Sequence, residues 1–177
     1  MSAQPAQKYD FEVGVYRPPS EGGSASLLLR ITRNCPWNRC EFCAMYKTEK
    51  FELRTPAEVK DDIDQIADIC NNLKDISWKL GYGGAITREA AIELLNSVPE
   101  LNYHQGFVMV YNWLQSGAKT AFLQDANSLI MKTDQLVDIL QHLRKTFPTL
   151  SRVTSYARSK TIAHKKLNEL TAIREAG

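Results

Sequence analysis

Apolar residues recur along this chain with two different periods. Ser26 to Thr32 contains Leu27, Leu28, Leu29 and Ile31 with few polar breaks, which predicts a strand covered on both faces, as in a parallel sheet. Thr55-Pro56-Ala57-Glu58 then predicts a helix start. Thr55 can cap, Pro56 suits the first helical position because no N–H is needed there, and Glu58 completes a capping box. Val59, Ile63, Ile66, Ala67 and Cys70 follow on one helical face, and Asp61, Asp64 and Asp68 fall towards solvent. A lone cysteine on such a face is a small core residue.

From 71 to 117 the pattern is less regular and reads as an insert. Gly81-Tyr82-Gly83-Gly84 predicts a loop and lacks the Lys-Ser/Thr pair of a phosphate cradle. Thr87 is a candidate cap for a short helix through Asn96, stopped before Pro99. A second helix is predicted over Gln105 to Ser116, with Gly117 at its end, His104 near its start, and Phe107, Val110, Tyr111 and Leu114 as a core stripe.

Thr120 to Gln124 predicts a second strand, ending in Asp125-Ala126-Asn127-Ser128. A helix from Thr133 carries Leu136, Leu140, Leu143 and Phe147 inward, keeps Arg144 and Lys145 in its last turn, and stops at Pro148. His142 on this helix has polar neighbours and is expected in solvent. Leu150 to Tyr156 predicts a third strand leading into Ala157-Arg158-Ser159-Lys160. A single last helix is expected over Ile162 to Ala176, with Leu167, Leu170 and Ile173 inward. Strand, helix, insert, strand, helix, strand, helix is the order of an α/β fold built from parallel βα repeats. Function then gathers at the carboxyl ends of the strands, where the pattern puts residues 33–50, 125–127 and 156–158.

Composition narrows the class. The 177 residues are 44% hydrophobic and 24% charged, ordinary for a globular protein, and the formal net charge of +2 gives no argument for a nucleic-acid partner. The longest apolar runs are too short to span a bilayer, and Met1 to Asp10 lacks the core of a signal peptide, so a cytoplasmic protein is expected. Residues 1–25, with Pro5, Arg17-Pro18-Pro19-Ser20 and Gly22-Gly23, read as an extended lead-in to a domain over 26–177.

Cysteines carry the most specific signal. Of four in the chain, Cys35, Cys40 and Cys43 stand within nine residues directly after the first strand. A four-iron cluster ordinarily takes four thiolates, so three suggest one iron left open for an outside ligand. Zinc is an alternative, but structural zinc wants four ligands, and Cys70, His104, His142 and His164 are scattered singly. A redox pair at Cys40 and Cys43 would leave Cys35 without a role, and a disulfide framework does not suit a chain lacking a secretory signal.

With Cys35…Cys40-Glu41-Phe42-Cys43 following a strand, residues 26–177 resemble the radical S-adenosylmethionine (radical SAM) superfamily. The resemblance implies the first half of a TIM-like (βα)6 partial barrel, and a chain that is a fragment or truncated form of that core. It implies that Cys35, Cys40 and Cys43 hold a 4Fe-4S cluster and that Phe42 packs beside the adenine of S-adenosyl-L-methionine. Asp125, Ala126 and Asn127 fall where many members place a Gly-Gly-Glu-Pro stretch that receives the cofactor's amino group. Ser155 and Arg158 resemble polar positions that contact its ribose or carboxylate. The implied chemistry is reductive cleavage of S-adenosyl-L-methionine to a 5′-deoxyadenosyl radical that abstracts hydrogen from a substrate, fed by an external one-electron donor of flavodoxin or ferredoxin type. Two departures stand out. Four residues rather than the usual three separate Cys35 and Cys40, and Gln124-Asp125-Ala126-Asn127 replaces the common glycine-rich stretch.

Overall fold

The computed structural model describes residues 9–15 and 26–177. Its centre is a three-stranded parallel sheet in the order β1 (Ser26–Arg30), β4 (Thr120–Gln124), β5 (Arg152–Ser155). Ser26 pairs with Thr120 and Thr120 with Arg152, so Arg30, Gln124 and Ser155 reach the same end of the sheet. The remaining strands, β2 (Thr32–Arg33) and β3 (Glu52–Leu53), form a separate two-residue antiparallel ribbon.

Helix α1 (Pro56–Lys79) starts on the expected capping box. Thr55 Oγ1 accepts from the Glu58 N–H at 3.3 Å, and Glu58 Oε2 accepts from the Thr55 N–H at 2.7 Å. Val59, Ile63, Ile66, Ile69, Cys70 and Leu73 are buried along one face. The helix therefore runs nine residues beyond Cys70, into the stretch read as the insert. Helix α2 (Arg88–Ser97) is capped by Thr87, and α3 (Gln105–Gln115) begins at His104, whose Nδ1 accepts from the Gly106 N–H at 3.1 Å. Gly117 takes a φ of 91° at the end of α3, a conformation that suits a residue without Cβ.

α3 packs against β1, and Met109 Sδ accepts from the Leu28 N–H at 3.3 Å. The insert thus covers β1, which among the described residues has one strand neighbour. Trp113, fully buried, donates from Nε1 to the Thr120 carbonyl at 2.9 Å and meets Phe147 edge-on at 5.0 Å. Helix α4 (Thr133–Thr146) lays Leu136, Ile139, Leu140 and Leu143 into the core between α1 and the final helix. No helix among the described residues is long and apolar enough to cross a membrane.

Several expectations need correction. The first strand ends at Arg30 rather than Thr32, because Thr32 turns away to pair with Leu53. The third is confined to Arg152–Ser155. The single last helix is two, α5 (Ser159–Ala163) and α6 (Leu167–Ala176), separated at residues 164–166. The break is held by long-range and capping bonds: Lys165 Nζ donates to the Met131 carbonyl at 3.2 Å, and Glu169 Oε2 accepts from the Lys166 N–H at 2.9 Å. Leu167 consequently lies 80% exposed, and α6 contains no buried residue. His142 is not free in solvent but pairs with Asp64 Oδ1 at 2.8 Å, linking α4 to α1, and Asp68 accepts from the Tyr9 hydroxyl at 2.5 Å.

Within the expected lead-in, 9–15 has no regular secondary structure, and residues 1–8 and 16–25 lie outside the described residues. Yet Tyr9 and Phe11 are each 2% exposed, inside the hydrophobic core. Side chains rather than a strand partner take up the backbone. Gln65 Oε1 accepts from the N–H groups of Asp10 and Phe11, Asp62 Oδ2 from Glu12, and Gln124 Oε1 from Gly14. Phe11→Ala is expected to cost about 3–5 kcal/mol, as for a core aromatic, read as a lowered urea midpoint; a change below ~0.5 kcal/mol, as for a surface site, would show that the segment is not part of the core.

Candidate functional site

Residues 34–51 form a closed loop at the carboxyl end of β1, and they contain all three clustered cysteines. The β2–β3 ribbon pins its root, and Asn34 Nδ2 donates to the Lys50 carbonyl at 2.7 Å. Asn34 and Asn38 have φ of 68° and 48°, the left-handed region that asparagine tolerates better than most residues. Inside the loop, Asn38 Nδ2 donates to the Tyr46 carbonyl, Lys47 Nζ donates to the Asn38 carbonyl at 3.2 Å, and the Cys43 N–H closes a turn onto the Cys40 carbonyl at 3.3 Å.

Cys35, Cys40 and Cys43 are free thiols, each partly exposed. The Asn38 N–H points at Cys35 Sγ at 3.5 Å. Among the described residues, no three His, Cys, Asp or Glu side chains are gathered closely enough to hold a metal ion, so the thiols share a loop without being drawn together. As a donor set they suit a sulfur-seeking group: three thiols on one short segment, with an amide directed at one sulfur, are ligands of the kind an iron–sulfur cluster takes. Cys70 stands apart in the core, where burial pushes its thiol up to about 12.

The other two strand ends reach towards this loop. Asp125, first residue after β4, is 5% exposed. Its Oδ2 accepts from the Asn34 N–H at 2.7 Å, immediately before Cys35, and from Arg30 Nε at 3.0 Å. Its Oδ1 is buried without a hydrogen-bond partner. Gly14 lies over that oxygen so closely that a Cβ there would stand 2.3 Å from it. Burial raises the Asp125 carboxyl above its ordinary value, against the lowering effect of the Asn34 amide and Arg30. Asn127, fully buried, fastens the end of β4 to the start of α5: its Oδ1 accepts from the Arg158 N–H at 3.1 Å, and its Nδ2 donates to Thr161 Oγ1 at 2.9 Å. Ala126 between them is partly exposed.

Ser155 Oγ donates to the Tyr156 carbonyl at 3.0 Å and lies 3.4 Å from that of Leu123. Arg158 places its guanidinium 4.2 Å from the ring centroid of Trp37, between Cys35 and Cys40, and Arg39 lies 5.4 Å from the same ring. Phe42 is 93% exposed. The structure therefore brings Asp125 and Arg158 to the cysteine loop, uses Asn127 and Ser155 to tie backbone, and leaves the Phe42 ring in solvent.

Several residues that sequence reasoning passed over organise the site. Glu12 pairs with Arg30 at 3.2 Å, with Arg33, and with Arg54 at 3.4 Å. Arg54, 4% exposed, also holds Asp62 and donates to the Arg30 carbonyl at 2.9 Å. Tyr46, 5% exposed, lines an open cleft of about 680 Å³ with Arg30, Asn34 and Met45, and burial, then the nearby Asp125 charge, raises its phenol. An arginine closing an otherwise apolar strand, and a tryptophan inside a cysteine cluster, were the available signals.

No family model, curated protein or solved structure matches the chain.

Acid should loosen the root of the loop. The Glu58 carboxyl is lowered to about 2 from an ordinary 4.5, first by the Thr55 amide, then by Arg33 and the Thr55 hydroxyl. A carboxyl depressed in the folded state stabilises fully above its unfolded value and loses that contribution as pH falls through the folded one. The urea midpoint is expected to fall between about pH 5 and pH 2, and Glu58→Gln should flatten that decline. An equally steep decline in the variant would place the acid sensitivity elsewhere.

Proposed function

We propose that this chain is the first half of a radical SAM core, a TIM-like (βα)6 partial barrel, and that it acts on an unidentified substrate through a 4Fe-4S cluster and S-adenosyl-L-methionine. The observation that carries the reading is the convergence of three consecutive parallel strand ends on one tri-cysteine loop, through Asp125 to Asn34 and through Arg158 to Trp37. Chemistry of this kind collects at the carboxyl ends of parallel strands.

On this reading Cys35, Cys40 and Cys43 would hold the cluster, with S-adenosyl-L-methionine as its outside ligand. The bound cluster would supply one electron for reductive cleavage of the sulfonium. The protein's share is placement and exclusion of water. Asp125 seats the root of the loop, since Oδ2 is committed to Asn34 and Arg30 and Oδ1 is enclosed beneath Gly14. Ala126 allows close backbone approach, and Asn127 fixes where Arg158 begins. Arg158, its guanidinium over the Trp37 ring, has the fork that suits an oxyanion such as a carboxylate. Phe42 offers an aromatic face to a nucleobase, and Ser155 a hydroxyl at the end of β5. The electron comes from an external donor of flavodoxin or ferredoxin type in a reducing, cytoplasmic setting.

Anaerobic reconstitution with iron and sulfide, followed by EPR of the reduced protein, tests this. A cluster signal that changes on adding S-adenosyl-L-methionine, and that is lost in Cys35→Ala, Cys40→Ala and Cys43→Ala, is expected. No cluster signal, an unresponsive one, or zinc at one per chain without sulfide would overturn it, the last in favour of a non-catalytic metal-binding domain.

A further inference from the structure

A second cleft opens at the carboxyl end of β5, between the 3₁₀ turn Ser128–Ile130 and α5. Its volume is about 400 Å³, within the range of small-molecule sites, and Arg158, Lys160, Thr161, His164, Lys165 and Glu169 supply its polar lining. We infer that this cleft binds a phosphoryl group.

Charge is the first argument. Among the described residues, Arg158, Lys160 and Lys165 make no ion pair. Lys165 Nζ is held by the Met131 carbonyl at 3.2 Å and Thr133 Oγ1 at 3.1 Å, neutral acceptors that fix it without cancelling its charge. Glu169 is the one acid in the lining, and its oxygens are turned to Thr133 Oγ1 at 2.7 Å and the Lys166 N–H at 2.9 Å. Three cations against one carboxylate leave an excess of two positive charges. A phosphoryl group carries about −1.5 to −2 at neutral pH.

Donor geometry is the second argument. Arg158 lies with its guanidinium over the Trp37 ring, and its N–H groups form the fork that matches phosphate oxygens. The Thr161 hydroxyl accepts from Asn127 Nδ2, which leaves its own hydrogen to donate. Lys160 is exposed at the rim, and His164, whose Nδ1 lies 2.6 Å from the Lys160 carbonyl, has Nε2 remaining. Fork, hydroxyl and ammonium together can serve three terminal oxygens, one more than a carboxylate has. Leu129 and Ile130 line the same cleft, an apolar surface for whatever carries the phosphoryl group.

The inference does not rest on the cluster, and its test uses the chain without iron. At low ionic strength, titration with inorganic phosphate, followed by backbone amide NMR, should give saturable shifts confined to residues 127–133 and 158–169. Arg158→Gln and Lys160→Gln should each weaken binding about tenfold, the loss expected for a charge-assisted hydrogen bond. Lys74→Gln, on the exposed face of α1, removes the same charge and should leave binding unchanged. A phosphate monoester binding more tightly than phosphate would identify a phosphorylated substrate; equal affinity would identify a free-phosphate site, and either outcome supports the cleft. No saturable shifts, equal affinity for acetate, or equal loss in the Lys74 variant would overturn it. Should the Arg158 variant fail to fold, Lys160→Gln alone decides, because that side chain is exposed.

Discussion

One carboxylate holds together the end of the molecule that carries the cysteine loop. Glu12 meets Arg30 from the end of β1, Arg33 from the ribbon below the cysteine loop, and Arg54 from the approach to α1. Burial alone would raise its carboxyl, but Arg33, then Arg54 and Arg30, outweigh burial and lower it. Without Glu12 three guanidinium groups would converge with fewer acids to answer them. Arg54, 4% exposed, keeps Asp62 as its main partner and meets Glu12 through Nε at 3.4 Å. The same guanidinium also bonds the Arg30 carbonyl, and Arg30 in turn holds Asp125. Position of the loop root therefore passes through a connected set of charges as well as through the β2–β3 ribbon.

That arrangement explains why the segment around Glu12 is ordered without a strand partner. Tyr9 and Phe11 enter the core, Gln65 and Asp62 take up their backbone, and the segment ends at Gly14 above Asp125. The sequence signal was present: Tyr9, Phe11 and Val13 alternate with Asp10, Glu12 and Gly14, the period of an extended chain with one face buried. Proline and glycine on either side masked it.

Legibility followed the range of the interactions. Thr55 and Thr87 cap where their sequences say, and α1, α2, α3 and α4 start as expected, because caps and a 3.6-residue apolar period are local. The β2–β3 ribbon is two residues long on each side and has no period to read. The break between α5 and α6 contains neither glycine nor proline; Lys165 reaching Met131 and Thr133 holds it, and that contact exists only after folding. The candidate site divides the same way. Spacing alone singled out Cys35, Cys40 and Cys43, and strand order placed Asp125 and Arg158 beside them. Nothing local marked Glu12, Arg54 or Tyr46, whose partners lie far away in sequence.

Trp37 ties the cysteine loop to the end of β5. It belongs to the cysteine loop, yet its ring receives Arg158 from the end of β5 at 4.2 Å. A guanidinium on an indole face is worth about 0.5–1 kcal/mol when exposed and more when water is excluded. That is too little to hold a loop shut and enough to bias where it rests. The contact couples Arg158 at the β5 end to a residue between Cys35 and Cys40. Asp125 does the same from β4 through the Asn34 amide, by a bond that burial makes costly to break. The loop is thus anchored firmly at its root and lightly at its middle, between Cys35 and Cys40.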